Sequence, residues 1–230
     1  MAYDAVLLDY DGVIVRVLDG TDRTPAFRDQ LSERFRNERL DFDDRVADSL
    51  AYSVSPGQLR ELSDRTGLDA ETLWRHRDDA LSEVLRSAAL DGKKSPYDDV
   101  DALFELDVPL GIASNNQQRV VEFITSEYGL SEQFETIHAR DPHPSSLNQK
   151  KPEPTYLEAA IADLQAENPL YVGDKGTDIL AGERVGIDTV LLRRRHNADR
   201  TVEATPTYEV SSLDAVAEIV ESESEDQRRR

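Results

Sequence analysis

Six short runs of β-branched and leucine-rich residues, Ala5 to Leu8, Val108 to Ala113, Thr136 to His138, Leu170 to Val172, Thr189 to Leu192 and Thr207 to Val210, are strand-sized and mostly apolar on both faces. A strand that presents apolar side chains in both directions must be covered on both sides, which is the condition of a parallel sheet between helical layers. Helical patterns fill the intervals: Gln118 to Tyr128 is stopped by Gly129, and Thr155 to Leu164 is followed by Pro169. From about residue 96 onward strand and helix alternate. The chain therefore predicts an α/β fold, a Rossmann-like doubly wound parallel sheet.

Residues 19–92 break this alternation, with helix starts but no convincing strand. Thr24 with Pro25, Ser55 with Pro56, and Asp69 before Ala70 read as N-caps, and Asp43 to Tyr52 supplies a further helical stretch. The expected organisation is a discontinuous core, 1–18 and 93–220, carrying a small α-helical cap domain at 19–92. Glu221 to Arg230 is charged and lacks apolar anchors, so it is expected to be a disordered tail.

Composition narrows the chemistry. Cysteine is absent from the 230 residues, which removes disulfides, thiolate metal sites and cysteine nucleophiles, so any metal must be held by oxygen or imidazole. The formal charge is −20, and only five side chains are lysines: Lys93, Lys94, Lys150, Lys151 and Lys175. Such a surface repels nucleic acid and anionic membranes, so neither is expected as a partner. The acidic residues are spread through periodic apolar segments, as in a folded protein whose surface suits high salt. With no long apolar stretch and a strand-like run at the start, neither a membrane span nor a signal peptide is expected, and the location expected is cytoplasmic.

The first strand runs into Asp9-Tyr10-Asp11-Gly12-Val13, placing two carboxylates at a buried strand's carboxyl edge, where open α/β sheets bind ligands. Strand alternation would put Asp9 and Asp11 on one side, and Gly12 lets the chain turn away. Two neighbouring carboxylates are tolerable when a divalent cation neutralises one and the other shifts towards a protonated form, the pairing that nucleophile and general acid require. A polar strand end with turn residues is the plainer reading of the same pentapeptide. Ser114-Asn115, after the second strand, offers a hydroxyl and helix-start amides to an anion, or simply a cap. Lys151-Pro152-Glu153-Pro154 introduces a helix with a lysine available to phosphate. Gly173-Asp174-Lys175-Gly176-Thr177-Asp178 brings two more carboxylates to a strand-to-helix junction, where Asp178 could equally serve the helix dipole.

Taken in order, Asp9-Tyr10-Asp11-Gly12-Val13, Ser114, Lys151-Pro152 and Gly173-Asp174 with Asp178 resemble the four motifs of the haloacid dehalogenase superfamily, in its phosphatase branch with a helical cap. The resemblance extends over nearly the whole chain, including Pro96-Tyr97 ahead of the second strand. It implies a magnesium-dependent phosphatase acting on a small phosphorylated metabolite. Asp9 would be the nucleophile forming an aspartyl-phosphate, Asp11 the general acid and base, and Ser114 and Lys151 the phosphoryl holders. Magnesium (Mg2+) would be bound by the Asp9 carboxylate, the Asp11 backbone carbonyl and Asp174, with Asp178 near or on the ion. The chain departs from the commoner pattern at Lys175, where a small hydroxyl residue is usual, and at Val13, where threonine is frequent. Lys150 stands beside Lys151 as a rival for the phosphate role.

Within the superfamily, Asp11 argues for phosphoryl transfer over carbon–halogen cleavage, and the absence of lysine between Met1 and Gly92 argues against a Schiff-base phosphonate cleavage. A phosphomutase on a sugar phosphate shares the same core motifs. A non-catalytic phospho-acceptor or binding protein would leave the helical insertion unexplained. Candidate anion contacts in the cap are Arg45, Arg75, His76 and Arg77, whereas Trp74 reads as cap core, and His138, His143 and His196 have no metal-site spacing.

Overall fold

The computed structural model describes residues 2–38, 44–51 and 54–228. Its centre is a six-stranded, all-parallel sheet: β1 (Ala5–Leu8), β2 (Leu110–Gln117), β3 (Thr136–Arg140), β4 (Pro169–Gly173), β5 (Asp188–Leu192) and β6 (Tyr208–Val210). The spatial order is β3-β2-β1-β4-β5-β6, so the chain leaves β1 in one direction, reaches β3, and returns to add β4 on the other side. The place where this order reverses lies between β1 and β4, and a crevice for ligands opens at the carboxyl ends of the strands there.

Alternation along β1 explains the two covered faces. Val6 and Leu8 join a cluster with Ile112 of β2, with Val120, Val121 and Ile124 of α5 (Gln118–Glu127), and with Leu213, Val216 and Val220 of α8 (Leu213–Arg228). Leu7, pointing the other way, packs with Tyr156, Leu157 and Ala160 of α6 (Thr155–Leu164) and Ala181 of α7 (Gly176–Val185). The α/β architecture expected from the apolar runs is the one found.

Four helices lie between β1 and β2: α1 (Gly20–Asn37), α2 (Asp44–Ala51), α3 (Pro56–Thr66) and α4 (Ala70–Leu90). Their apolar faces, including Phe27, Leu31 and Phe35 of α1 and Leu73 and Trp74 of α4, belong to the same continuous cluster as Val6 and Leu8. Ser55 and Asp69 cap α3 and α4 as expected; Ser55 accepts from Gln58 N while Gln58 Oε1 accepts from Ser55 N. Thr24 is not a cap. Helix α1 starts earlier because the Asp19 carboxylate accepts from Thr21 N at 2.8 Å, which leaves Pro25 inside the helix. Residues 43 and 52 of the expected second cap stretch lie outside the described residues.

Two other segments differ from their expectation. Helix α8 continues to Arg228 through the charged segment expected as a tail, since a helix nucleated on buried Leu213, Val216 and Val220 extends at little cost per residue. Strand β2 runs to Gln117, so α5 begins three residues beyond Ser114-Asn115 instead of at it.

Candidate active site

The site is built where β1, β2 and β4 end side by side. Asp9 follows β1 directly, its amide donating to Val172 O at 2.8 Å, and its side chain is buried. The chain then folds back at once: Ile14 N and Val15 N both donate to Tyr10 O at 3.0 Å, and Gly12 N donates to Val15 O at 2.8 Å. Gly12 has φ +92°, and a Cβ there would strike Asp174 Oδ2 and His196 Nε2, so only glycine fits both the backbone and the space. This turn, and not the pleat of a continued strand, brings Asp11 onto the cavity that Asp9 also lines. The Asp11 carboxylate is gripped from two sides, by the Lys94 ammonium on Oδ1 and by Asn116 Nδ2 on Oδ2 at 2.6 Å.

Lys151 is the hub of the floor. Its backbone is pinned by Asn115, whose Oδ1 accepts from Lys151 N at 2.7 Å and whose Nδ2 donates to Lys151 O at 3.2 Å. Its buried ammonium lies 2.8 Å from Asp9 Oδ1 and 2.7 Å from Asp178 Oδ1, and donates to Ala113 O at 2.9 Å and Tyr171 Oη at 2.7 Å. Lys150, the rival in sequence, lines the cavity above instead. Ser114 is buried beside Asp9 at the cavity floor, its Oγ accepting from Asn116 N at 3.2 Å.

Asp174 follows β4, and Asp178 lies in the first turn of α7. Asp174 Oδ1 receives the Lys175 ammonium at 2.6 Å, its Oδ2 lies 2.7 Å from His196 Nε2, and its carbonyl accepts from Asn197 Nδ2 at 2.7 Å. Asp178 Oδ2 accepts from Lys175 N at 3.0 Å, which fixes the start of α7. Asp9, Asp174 and Asp178 each offer an oxygen within 4.8 Å of the others, the one such group among the described residues, and the Asp11 side chain is not part of it. Three buried carboxylates with oxygen ligands only, at the mouth of a crevice, fit a hard divalent cation such as magnesium.

The electrostatics follow from crowding in a dry space. Burial raises the cost of ionising Asp9, yet Lys151 and Lys175 outweigh it and hold the carboxyl below its ordinary range. Burial dominates at Asp178 and lifts it, with Lys151 opposing. At Lys151 burial works against the ammonium, and Asp178 and Asp9 more than offset it, so its pKa lies above the ordinary lysine value. Burial, then Lys175, push Lys94 down to about 7, while Asp9 and Asp174 work the other way.

Above the floor is a cavity of about 300 Å³. Of the cap residues expected as anion contacts, Arg77 lines it, and Arg45, Arg75 and His76 do not; His76 lies 3.2 Å from Glu38. Trp74 is cap core, its ring flanked by the guanidinium groups of Arg77 and Arg140, each 4.8 Å from the centroid. Arg23, Lys94, Asn116, His196 and Asn197 carry the site but were not anticipated as site residues. The scarcity of lysine was a signal for Lys94, which sits where the helical insertion returns to the sheet; nothing local marks Arg23.

Residues 3–186 match the family model described as "Hydrolase: haloacid dehalogenase-like hydrolase". A stretch of 76 residues is 36% identical to D-glycero-D-manno-heptose-1,7-bisphosphate 7-phosphatase of Chlorobaculum tepidum, covering 29% of this chain and 38% of that protein. Another, of 123 residues, is 30% identical to phosphoglycolate phosphatase 1 of Pseudomonas aeruginosa, covering 49% and 44% respectively. The chain thus spans less than half the length of these two curated relatives. In three dimensions it is similar to CbbY from Rhodobacter sphaeroides, solved in complex with phosphate, with TM-score 0.65 over 93% of this chain and 96% of that one at 16% identity, a likeness of fold.

Proposed function

Because the chain belongs to the haloacid dehalogenase-like hydrolase family, we propose that it is a magnesium-dependent phosphatase that hydrolyses a small phosphate monoester through an aspartyl-phosphate on Asp9. The observation that carries this reading is the buried Asp9 carboxylate at the sheet's reversal point, 2.8 Å from Lys151 and within 4.8 Å of Asp174 and Asp178 oxygens. A carboxylate kept ionised in a dry site by a lysine is a competent nucleophile, and its neighbours are placed to share a cation. Asp9, Asp174 and Asp178 would hold magnesium with the Asp11 carbonyl, and the bound ion would supply charge neutralisation on the phosphoryl oxygens.

In the reaction, an Asp9 carboxylate oxygen attacks phosphorus in line and the bond from phosphorus to the ester oxygen breaks. Asp11, which enters this step in its protonated form, gives its proton to the leaving oxygen. The same carboxylate then takes a proton from water, whose oxygen attacks the phosphoryl group, and the bond to Asp9 breaks to return the free carboxylate and inorganic phosphate. Ser114 Oγ and Lys151 Nζ would hold the phosphoryl oxygens; Asn116 and Lys94 orient Asp11. Residues 19–92 would act as a cap over a core of 1–18 and 93–220, and closure of such a cap would exclude water. No helix among the described residues is long and apolar enough to cross a membrane, and the charge of −20 disfavours nucleic acid and anionic membranes as partners.

The test is phosphate release from a panel of small phosphate esters, with and without magnesium, with Asp9→Asn as control. Magnesium-dependent release that the substitution abolishes supports the reading. Turnover that survives Asp9→Asn in a clean preparation removes Asp9 as nucleophile, and silence across the panel from folded protein turns the reading towards a mutase or a binding role.

A further inference from the structure

The Asp174 carboxylate is held at both oxygens, and its two partners are unlike. Oδ1 receives the Lys175 ammonium at 2.6 Å, and the same ammonium lies 3.8 Å from Asp9 Oδ2, so Oδ1 is the oxygen on the Asp9 side. Oδ2 is turned the other way, against Gly12 and the His196 ring, whose Nε2 lies 2.7 Å from it. An ion shared between Asp9 and Asp174 therefore meets Oδ1, where the half-exposed Lys175 chain can swing aside, while Oδ2 stays with the histidine.

His196 is braced for this contact. It belongs to a turn just beyond β5 that Asn197 locks: Asn197 Oδ1 accepts from Arg194 N at 2.6 Å, and the buried Nδ2 donates to Leu192 O at 2.9 Å and to Asp174 O at 2.7 Å. Two successive residues thus hold Asp174, one at its carboxylate and one at its backbone. Behind the imidazole, Tyr97 Oη lies 3.5 Å from Nδ1, and the guanidinium groups of Arg194 and Arg16 lie over the Tyr97 ring at 4.1 and 4.9 Å from its centroid. Arg194 is fixed in turn by both Asp99 oxygens, at 2.7 and 2.8 Å. An imidazole that accepts from a hydroxyl at Nδ1 has its hydrogen on Nε2, where it donates to Oδ2.

The torsion about an aspartate's Cβ–Cγ bond is soft, so an unheld carboxylate can turn both oxygens onto one ion. We propose that His196 is a positioning residue that withholds Oδ2 of Asp174, leaving a single oxygen for the cation and so favouring magnesium over calcium at this site. Magnesium demands a near-ideal octahedron at about 2.0–2.1 Å, whereas calcium takes about six to eight oxygens at about 2.3–2.6 Å and accepts carboxylates through both oxygens. Limiting Asp174 to one oxygen suits the first ion and deprives the second of a ligand. This rests on the magnesium reading of the site and adds to it the residue that sets the choice of ion.

The experiment follows the unfolding temperature of the full chain against MgCl2 and CaCl2 at constant ionic strength, which yields a dissociation constant for each ion without any turnover. Asp174→Asn supplies the baseline for ions bound elsewhere on the acidic surface. In His196→Ala the ratio of calcium to magnesium dissociation constants is expected to fall by about tenfold or more, and in His196→Gln, whose amide can donate to the same oxygen, to stay within about threefold of the unsubstituted protein. A histidine that mattered only for the stability of the loop would lower the starting temperature and leave the ratio alone. An unchanged ratio in His196→Ala, or the same fall in the glutamine variant, overturns the proposal. If neither ion raises the unfolding temperature of the unsubstituted protein beyond that of Asp174→Asn, the magnesium reading itself fails and takes the proposal with it.

Discussion

Lys175 sets its ammonium 2.6 Å from Asp174 Oδ1 and 3.8 Å from Asp9 Oδ2, so a cation of the chain itself sits between two of the carboxylates proposed to hold magnesium. Burial works against that charge, but Asp9, Asp174 and Asp178 outweigh it and hold the ammonium above its ordinary value, so it stays charged throughout the neutral range. Magnesium must then displace it or share oxygens with it, and either costs binding free energy. Lys175→Ser is expected to tighten magnesium binding about tenfold, roughly 1.4 kcal/mol. Calorimetric titration of magnesium into the two proteins measures this without any turnover. Weaker binding in the variant would mean that Lys175 orders the site for the ion instead of competing with it.

The floor depends on one cation in a different way. Lys151 separates Asp9 from Asp178, both buried, and bonds to each. Lys151→Met would leave two buried carboxylates facing each other without the cation that bonds to both, and one partner's loss from a buried pair costs about 3–5 kcal/mol. A clear fall in the denaturant midpoint is expected, together with loss of activity. Adding Asp178→Asn to the same variant removes one of the stranded charges and should recover part of the stability. If the double variant is no more stable than the single one, the cost lies in packing and not in charge.

How much of this could be read in the sequence divides along physical lines. β1 at Ala5–Leu8 and α6 at Thr155–Leu164 fall where their apolar patterns put them, because a buried strand or helix writes its period into adjacent residues. Ser55 and Asp69 were legible caps because a cap is a bond across three residues. Asp19 and Thr24-Pro25 offer the same local signal for a helix start, and only the packing of Phe27, Leu31 and Phe35 decides where the helix lies. The four strand-edge motifs were legible in order, and the fold brings Asp9, Asp174 and Asp178 together from positions up to 169 residues apart. What the local pattern could not show was which basic residues of the insertion reach the cavity: Arg77 lines it while Arg45, Arg75 and His76 do not, and nothing in the sequence around Arg23 marks it.

The charge of −20 bears on stability as a whole. The buried Asp9, Lys151 and Asp178 cluster is shielded from solvent ions, but carboxylates such as Glu61, Asp64, Glu132 and Glu218 are exposed and repel one another through water. Folding concentrates that repulsion, so screening favours the folded chain; the Debye length falls from about 10 Å at 0.1 M salt to about 3 Å at 1 M. Each kcal/mol gained moves the midpoint of a domain this size by about 2–4 °C. Unfolding temperature is therefore expected to climb by several degrees between 0.05 and 2 M KCl. Converting Glu61, Asp64, Glu132 and Glu218 to their amides should raise the midpoint at low salt and flatten its rise with KCl. A rise of unchanged steepness in that variant would assign the salt effect to hydration of apolar surface, which KCl strengthens regardless of charge, and a flat profile in the unsubstituted protein would show that its acidic surface carries no salt requirement.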